Sequence, residues 1–158
     1  MAMAGESTST KPIIYLSEYE FGVDEKRRVQ IPSKWRPENP EGVEWVALRW
    51  QTDLQRPPCL LVLPPAAFQL LHEKVAALPF SDPQAETLRR SLTRAADTVS
   101  LDGAGRICLP KPLADAAGIT KRAWLVGMFD RFQIWSPENY ASVRAEDERN
   151  TVKALSLI

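Results

Sequence analysis

Apolar residues recur along this chain in two rhythms. Val29 and Ile31, and later Ile107 and Leu109, alternate with polar neighbours, the period-two pattern of half-buried strands. Pro32 and Pro110 end those strands. Each strand follows an Asp-x-x-x-Arg segment and an earlier short strand. The pattern therefore predicts two hairpins, with Asp24 to Arg28 at one tip and Asp102 to Arg106 at the other. Further strands are expected near 45–49, 60–63, 123–126 and 132–135. Pro65 and Pro137 then stand where a helix begins, a position proline tolerates. Helical spacing joins Phe68, Leu71, Val75 and Leu78, then Ala85, Leu88, Leu92 and Ala95. Pro79 to Pro83 separates the two stretches, with Ser81 or Asp82 as the expected cap. Leu113 to Ala117 reads as a short helix that Gly118 closes.

The chain also repeats itself. Asp24 maps to Asp102, Arg28 to Arg106 and Pro32 to Pro110, an offset of 78 each time. Leu61 to Phe68 mirrors Gln133 to Tyr140, with Pro65 on Pro137, an offset of 72. The first copy thus carries six extra residues, expected around Asp53 to Pro58. A unit of about 45 residues seldom buries enough surface to stand alone. Two copies packed together solve this, so the expected fold is α+β, mainly β with helices, paired about a pseudo-two-fold axis.

Composition narrows the function. The chain has 158 residues, with 20 Lys plus Arg against 20 Asp plus Glu, a formal charge of zero. That balance argues against binding nucleic acid or membrane through overall charge, but not against a local basic patch. One exists: from Asp24 to Arg36, five basic residues face two acidic ones, a local +3. From Glu138 to Arg149 four acids face two bases, a local −2, and this end is expected to face away from nucleic acid or to meet another subunit. No apolar run reaches the roughly 20 residues of a membrane helix. Met1 to Thr10 is small and polar, which suits a disordered tail better than a signal peptide. Cys59 and Cys108 sit in apolar runs and are expected as reduced, buried thiols of a cytoplasmic protein. The single histidine, His72, lies in a helical stretch and has no company for a zinc site or a catalytic triad. No enzyme activity, metal, cofactor or small-molecule substrate is expected. Trp45, Trp124 and Trp135 lie in strand patterns and are expected in the core, whereas Trp35 and Trp50 fit either core or interface.

The two Asp-x-x-x-Arg hairpins with their following Ile-Pro and Leu-Pro resemble the MraZ family of bacterial transcriptional regulators. Tyr15 to Glu20, Ala77 to Pro83 and Gly127 to Trp135 carry the same resemblance. It implies tandem SpoVT/AbrB-type domains of the swapped-hairpin β-barrel fold. It implies a cytoplasmic, nucleoid-associated protein that assembles as a ring. Such a protein binds short repeated boxes of double-stranded DNA upstream of its own operon, in the division and cell-wall gene cluster. The domain division that follows is a disordered tail at 1–14, repeats at 15–66 and 97–141, a helical connector at 67–96 and a C-terminal helix or tail at 142–158. Two departures stand out. Arg27 occupies a position where the family usually has Gly, kept in the second copy as Gly105, which leaves the shape of the first turn open. Ser17 likewise replaces a usual Gly.

Lys26, Arg27, Arg28 and Arg106 are the expected DNA contacts, since phosphate contacts by Lys and Arg supply most of the affinity. Arg28 and Arg106 also fit a plain turn or ion-pair role. Lys34 and Arg36 are either phosphate contacts or members of a solvated loop. Asp24, Asp102 and Gly105 are expected to shape the turns. The second tip, Gly103-Ala104, lacks a lysine and is expected to grip DNA more weakly. A reading from another class stays beside this one: a ring-forming scaffold whose DNA binding is weakened or lost.

Overall fold

A computed structural model describes residues 12–158. Residues 1–11, most of the expected disordered tail, lie outside the described residues. The chain folds as β1 (Glu18–Gly22), β2 (Arg28–Gln30), a 3-10 turn (Ser33–Trp35), β3 (Glu44–Trp50), β4 (Cys59–Leu63), α1 (Pro65–Ala76) and α2 (Pro83–Arg94). β5 (Ala96–Ser100), β6 (Arg106–Cys108), α3 (Lys111–Ala117), β7 (Arg122–Gly127), β8 (Phe132–Trp135) and α4 (Pro137–Ala154) follow. The fold is mixed α+β, with antiparallel sheets and helices. Asp82 caps α2 by accepting from the Gln84 amide at 2.9 Å, and Gly118 closes α3 at φ +70°.

Six strands form one sheet in the order β1-β7-β8-β4-β3-β5, while β2 and β6 form a separate two-stranded ribbon. The expected β-barrel is not closed: β1 and β5 remain as the two edges of the sheet. Nor do the strands flanking each tip pair along their length with one another. Each tip sends its first strand to the large sheet and its second to the ribbon, where the partner comes from the other copy.

The registers carry the internal repeat. Val29 stands opposite Ile107, and Leu61 opposite Gln133. Each of these residues thus faces its own counterpart, at the offsets of 78 and 72, and a pseudo-two-fold axis runs through both pairs. The pairing Glu18 with Val126 recurs, 78 residues shifted, as Ala96 with Leu48. Val46 with Leu63 recurs as Trp124 with Trp135. The extra residues of the first copy form the exposed stretch between Trp50 and Cys59.

All five residues of β4 are buried, because both faces of the sheet are covered. Leu60 and Val62 join the main core with Val29, Ile31, Ile107 and Leu109, while Leu61 and Leu63 meet α1. Trp35 is 1% exposed, so it belongs to the core. Its ring lies 5.5 Å from Tyr15, 5.5 Å from Tyr19 and 5.0 Å from Phe132. Trp45 and Trp135 are buried, whereas Trp50 and Trp124 are half-buried. α4 packs on β7 and is tied to β1 by Tyr140, which donates to Glu18, and by Arg144, 3.1 Å from Glu18. Arg56 in the inserted stretch holds Glu146 on α4 at 2.7 Å. Among the described residues, no helix is long and apolar enough to cross a membrane.

Candidate nucleic-acid interface

Each Asp-x-x-x-Arg segment closes on its own aspartate. In the first, Asp24 Oδ1 accepts from the amides of Lys26 at 3.0 Å and Arg28 at 2.8 Å, and Oδ2 accepts from Arg28 Nε at 2.7 Å. In the second, Asp102 Oδ1 accepts from the amides of Ala104 at 2.9 Å and Arg106 at 3.0 Å, and Oδ2 from Arg106 Nε at 3.0 Å. A short carboxylate at the head of a turn can reach these amides without help from the rest of the fold. Both carboxyls are held below the usual aspartate range, first by the backbone amide of the motif arginine and then by its side chain and the tip amide. The frames stay charged and closed at neutral pH.

The turn shape left open by Arg27 is the same in both copies. Arg27 takes φ +61° where Gly105 takes φ +76°. Arg27 N donates to Asp24 O at 2.9 Å, as Gly105 N does to Asp102 O at 3.1 Å. Ser17, the other replacement of a usual glycine, also keeps a positive φ, +74°.

The ribbon brings the two frames together. Arg28 stands opposite Cys108 and Gln30 opposite Arg106, with the fully buried Val29 and Ile107 pointing the other way. Arg28, Gln30, Arg106 and Cys108 therefore share one face of the ribbon. Cys108 is exposed, which corrects its expected burial; alternation turns it away from Ile107 and Leu109. Cys59 does lie in the core, where burial pushes its thiol up to about 12. Gln30 and Cys108 were missed as members of this face, although the alternation that buries Val29 and Ile107 carries the signal. Each reaches the opposite tip. Gln30 Nε2 donates to the carbonyls of Ala104 and Gly105 at 3.2 Å, and the Cys108 thiol to that of Lys26 at 3.2 Å.

Two further arginines join them. Arg27 Nε donates to the carbonyl of Leu109 at 2.9 Å, and Arg36 Nε to that of Ile31 at 2.9 Å. Leu109 and Ile31 are themselves counterparts. The Arg36 guanidinium lies against Gly105, where a Cβ would come within 2.7 Å of its Cζ. Lys26 is exposed at the first tip. Lys34 stands apart, exposed on the 3-10 turn. Arg27, Arg28, Arg36 and Arg106 are each anchored through Nε, which leaves their Nη groups for an incoming acceptor. Such pre-set forks suit the paired oxygens of a phosphate. His72 is exposed on α1, away from these groups in the fold.

Two intertwined copies of one small unit, sharing a surface ribbon framed by arginines, define a tandem swapped-strand protein. Residues 92–156 match the family described as "MraZ protein, putative antitoxin-like". The transcriptional regulator MraZ of Thermomicrobium roseum is 37% identical over 131 residues, 82% of this chain and 86% of that protein. That of Herpetosiphon aurantiacus is 38% identical over 130 residues, with coverage of 82% and 86%. That of Leuconostoc citreum is 31% identical over 137 residues, with coverage of 87% and 91%. The chain belongs to the MraZ family. These relatives are named as transcriptional regulators, not as enzymes.

Proposed function

We propose that this chain is an oligomeric, sequence-specific DNA-binding transcriptional regulator that meets double-stranded DNA with its two Asp-x-x-x-Arg loops. The observation that carries this reading is the matched pair of frames on one ribbon, each presenting a partly exposed arginine whose side chain is held by Nε alone. A two-stranded ribbon is of a size the major groove admits. In this reading Arg28 and Arg106 contact DNA directly, Lys26, Arg27 and Arg36 add phosphate contacts, and Lys34 adds one from the more distant 3-10 turn. Asp24, Asp102 and Gly105 shape the turns. Residues 15–66 and 97–141 act as the two SpoVT/AbrB-like repeats, joined by the connector 67–96 and followed by 142–158. The family resemblance supports a cytoplasmic, nucleoid-associated ring that binds short repeated boxes upstream of its own operon, in the division and cell-wall cluster.

The test is a fluorescence titration of the chain against DNA from upstream of its own gene, over a series of salt concentrations. Arg28→Ala and Arg106→Ala should each weaken binding and lower the slope of log affinity against log salt by about one unit. If neither variant changes affinity or slope, the binding face is misassigned. A wild-type chain that forms rings yet ignores this DNA at low salt would point to the scaffold reading instead.

A further inference from the structure

Arg27 and Arg36 come from different places in the sequence but end in the same place in the fold. Arg27 is anchored on the Leu109 carbonyl beside the first tip; Arg36 is anchored on the Ile31 carbonyl beside the second. The repeat offset of 78 carries Ile31 onto Leu109 and Arg27 onto Gly105, the residue against which Arg36 lies. The side chain that Gly105 lacks is replaced by one reaching in from Arg36.

Local chemistry explains how each gets there. Pro37 follows Arg36, and a residue before proline is pushed into extended backbone. Arg36 accordingly leaves the 3-10 turn at φ −91° and ψ +136°, whereas its counterpart Ala114 continues inside α3. Arg27 holds a left-handed backbone at φ +61°, which costs a non-glycine residue energy. Strain of this kind persists where surrounding contacts hold it, and it gathers at functional sites.

We infer that Arg27 and Arg36 form a matched pair of phosphate-binding groups, giving the ribbon two equivalent anion sites: Arg27 with Arg28, and Arg36 with Arg106. This rests on the DNA-binding reading above and sharpens it. The second tip is then not the weaker one that its Gly103-Ala104 suggests, because its second guanidinium arrives from the first copy. Lys26 against Ala104 and Glu25 against Gly103 are left as opposite charge differences between the two tips, and they cancel.

The experiment is a salt series with the full-length chain and a mixed-sequence duplex a few helical turns long, which reports phosphate contacts without a known box. Arg27→Gly restores the glycine of the second copy, and Arg36→Met keeps the buried stem without the charge. Each should lower the salt slope by about one unit and the double variant by about two. Arg36→Gln is the second variant at that position should Arg36→Met fail to give the wild-type circular-dichroism spectrum. An unchanged slope for either position, while Arg28→Ala and Arg106→Ala lower it, overturns the pairing and leaves the binding face standing. An unchanged slope for all four positions overturns the face and the pairing with it.

Discussion

Gly105 meets two demands that are separate in origin. Its φ of +76° favours a residue without Cβ, and the Arg36 guanidinium occupies the space a Cβ would need. Arg27 shows that the first demand alone is survivable. The second falls on the far end of a flexible side chain, so a methyl group would displace Arg36 instead of breaking the turn. Gly105→Ala should therefore cost about 1–2 kcal/mol through the backbone, and more through the lost Arg36 anchor. Urea unfolding of Gly105→Ala, Arg36→Met and the double variant measures the two parts. The double variant should cost less than the sum of the singles; strict additivity would mean the two residues are not in contact. At this scale sequence reading reached far. The repeat pointed to Asp24, Asp102, Arg28 and Arg106 as a set. It did not reveal Arg36 beside Gly105, because that contact crosses between copies and no local pattern encodes it.

The counterpart of α3 in the first copy is only the 3-10 turn at Ser33–Trp35. Pro37 stops the helix early, and the short turn is held down by a large anchor. Trp35 fills the place of Leu113, donates from Nε1 to the Leu16 carbonyl at 3.2 Å and packs among three aromatic rings. Trp35→Ala should destabilise the fold by about 3–5 kcal/mol, read as a lower denaturation midpoint. Trp35→Phe should recover most of the packing but not the hydrogen bond. A loss below about 1 kcal/mol for Trp35→Ala would mean the aromatic cluster is not where the stability lies. Strand and helix positions were legible because alternation, proline starts and caps are local signals: Asp82, Gly118, Pro65 and Pro137 all mark element ends. Strand partners were not legible. Alternation says that Val29 is buried, but not that it lies against Ile107; only the family resemblance implied a swap, and the pairing of β2 with β6 in a ribbon of their own is what the structure adds.

At the scale of the molecule, a formal charge of zero coexists with a ribbon framed by four arginines. One chain offers few phosphate contacts, two short loops and a balanced total. Non-specific attraction of the whole body to DNA should be weak, and the ribbon must supply what affinity there is. If the chain acts as proposed, several ribbons on one assembly must engage several boxes on one duplex. Linked binding events then share an effective concentration, which raises affinity without any new contact. The expected result is a steep rise in affinity as upstream DNA is shortened or extended to carry one, two or more boxes at native spacing. The gain should vanish when the spacing is shifted by half a helical turn, since the second ribbon then faces the wrong side. Titration of such a duplex series, with mass measured by light scattering, reads both affinity and assembly. Equal affinity for one box and for several would show that a single ribbon suffices, and the balanced charge would then have to be explained by contacts to base edges instead of phosphates.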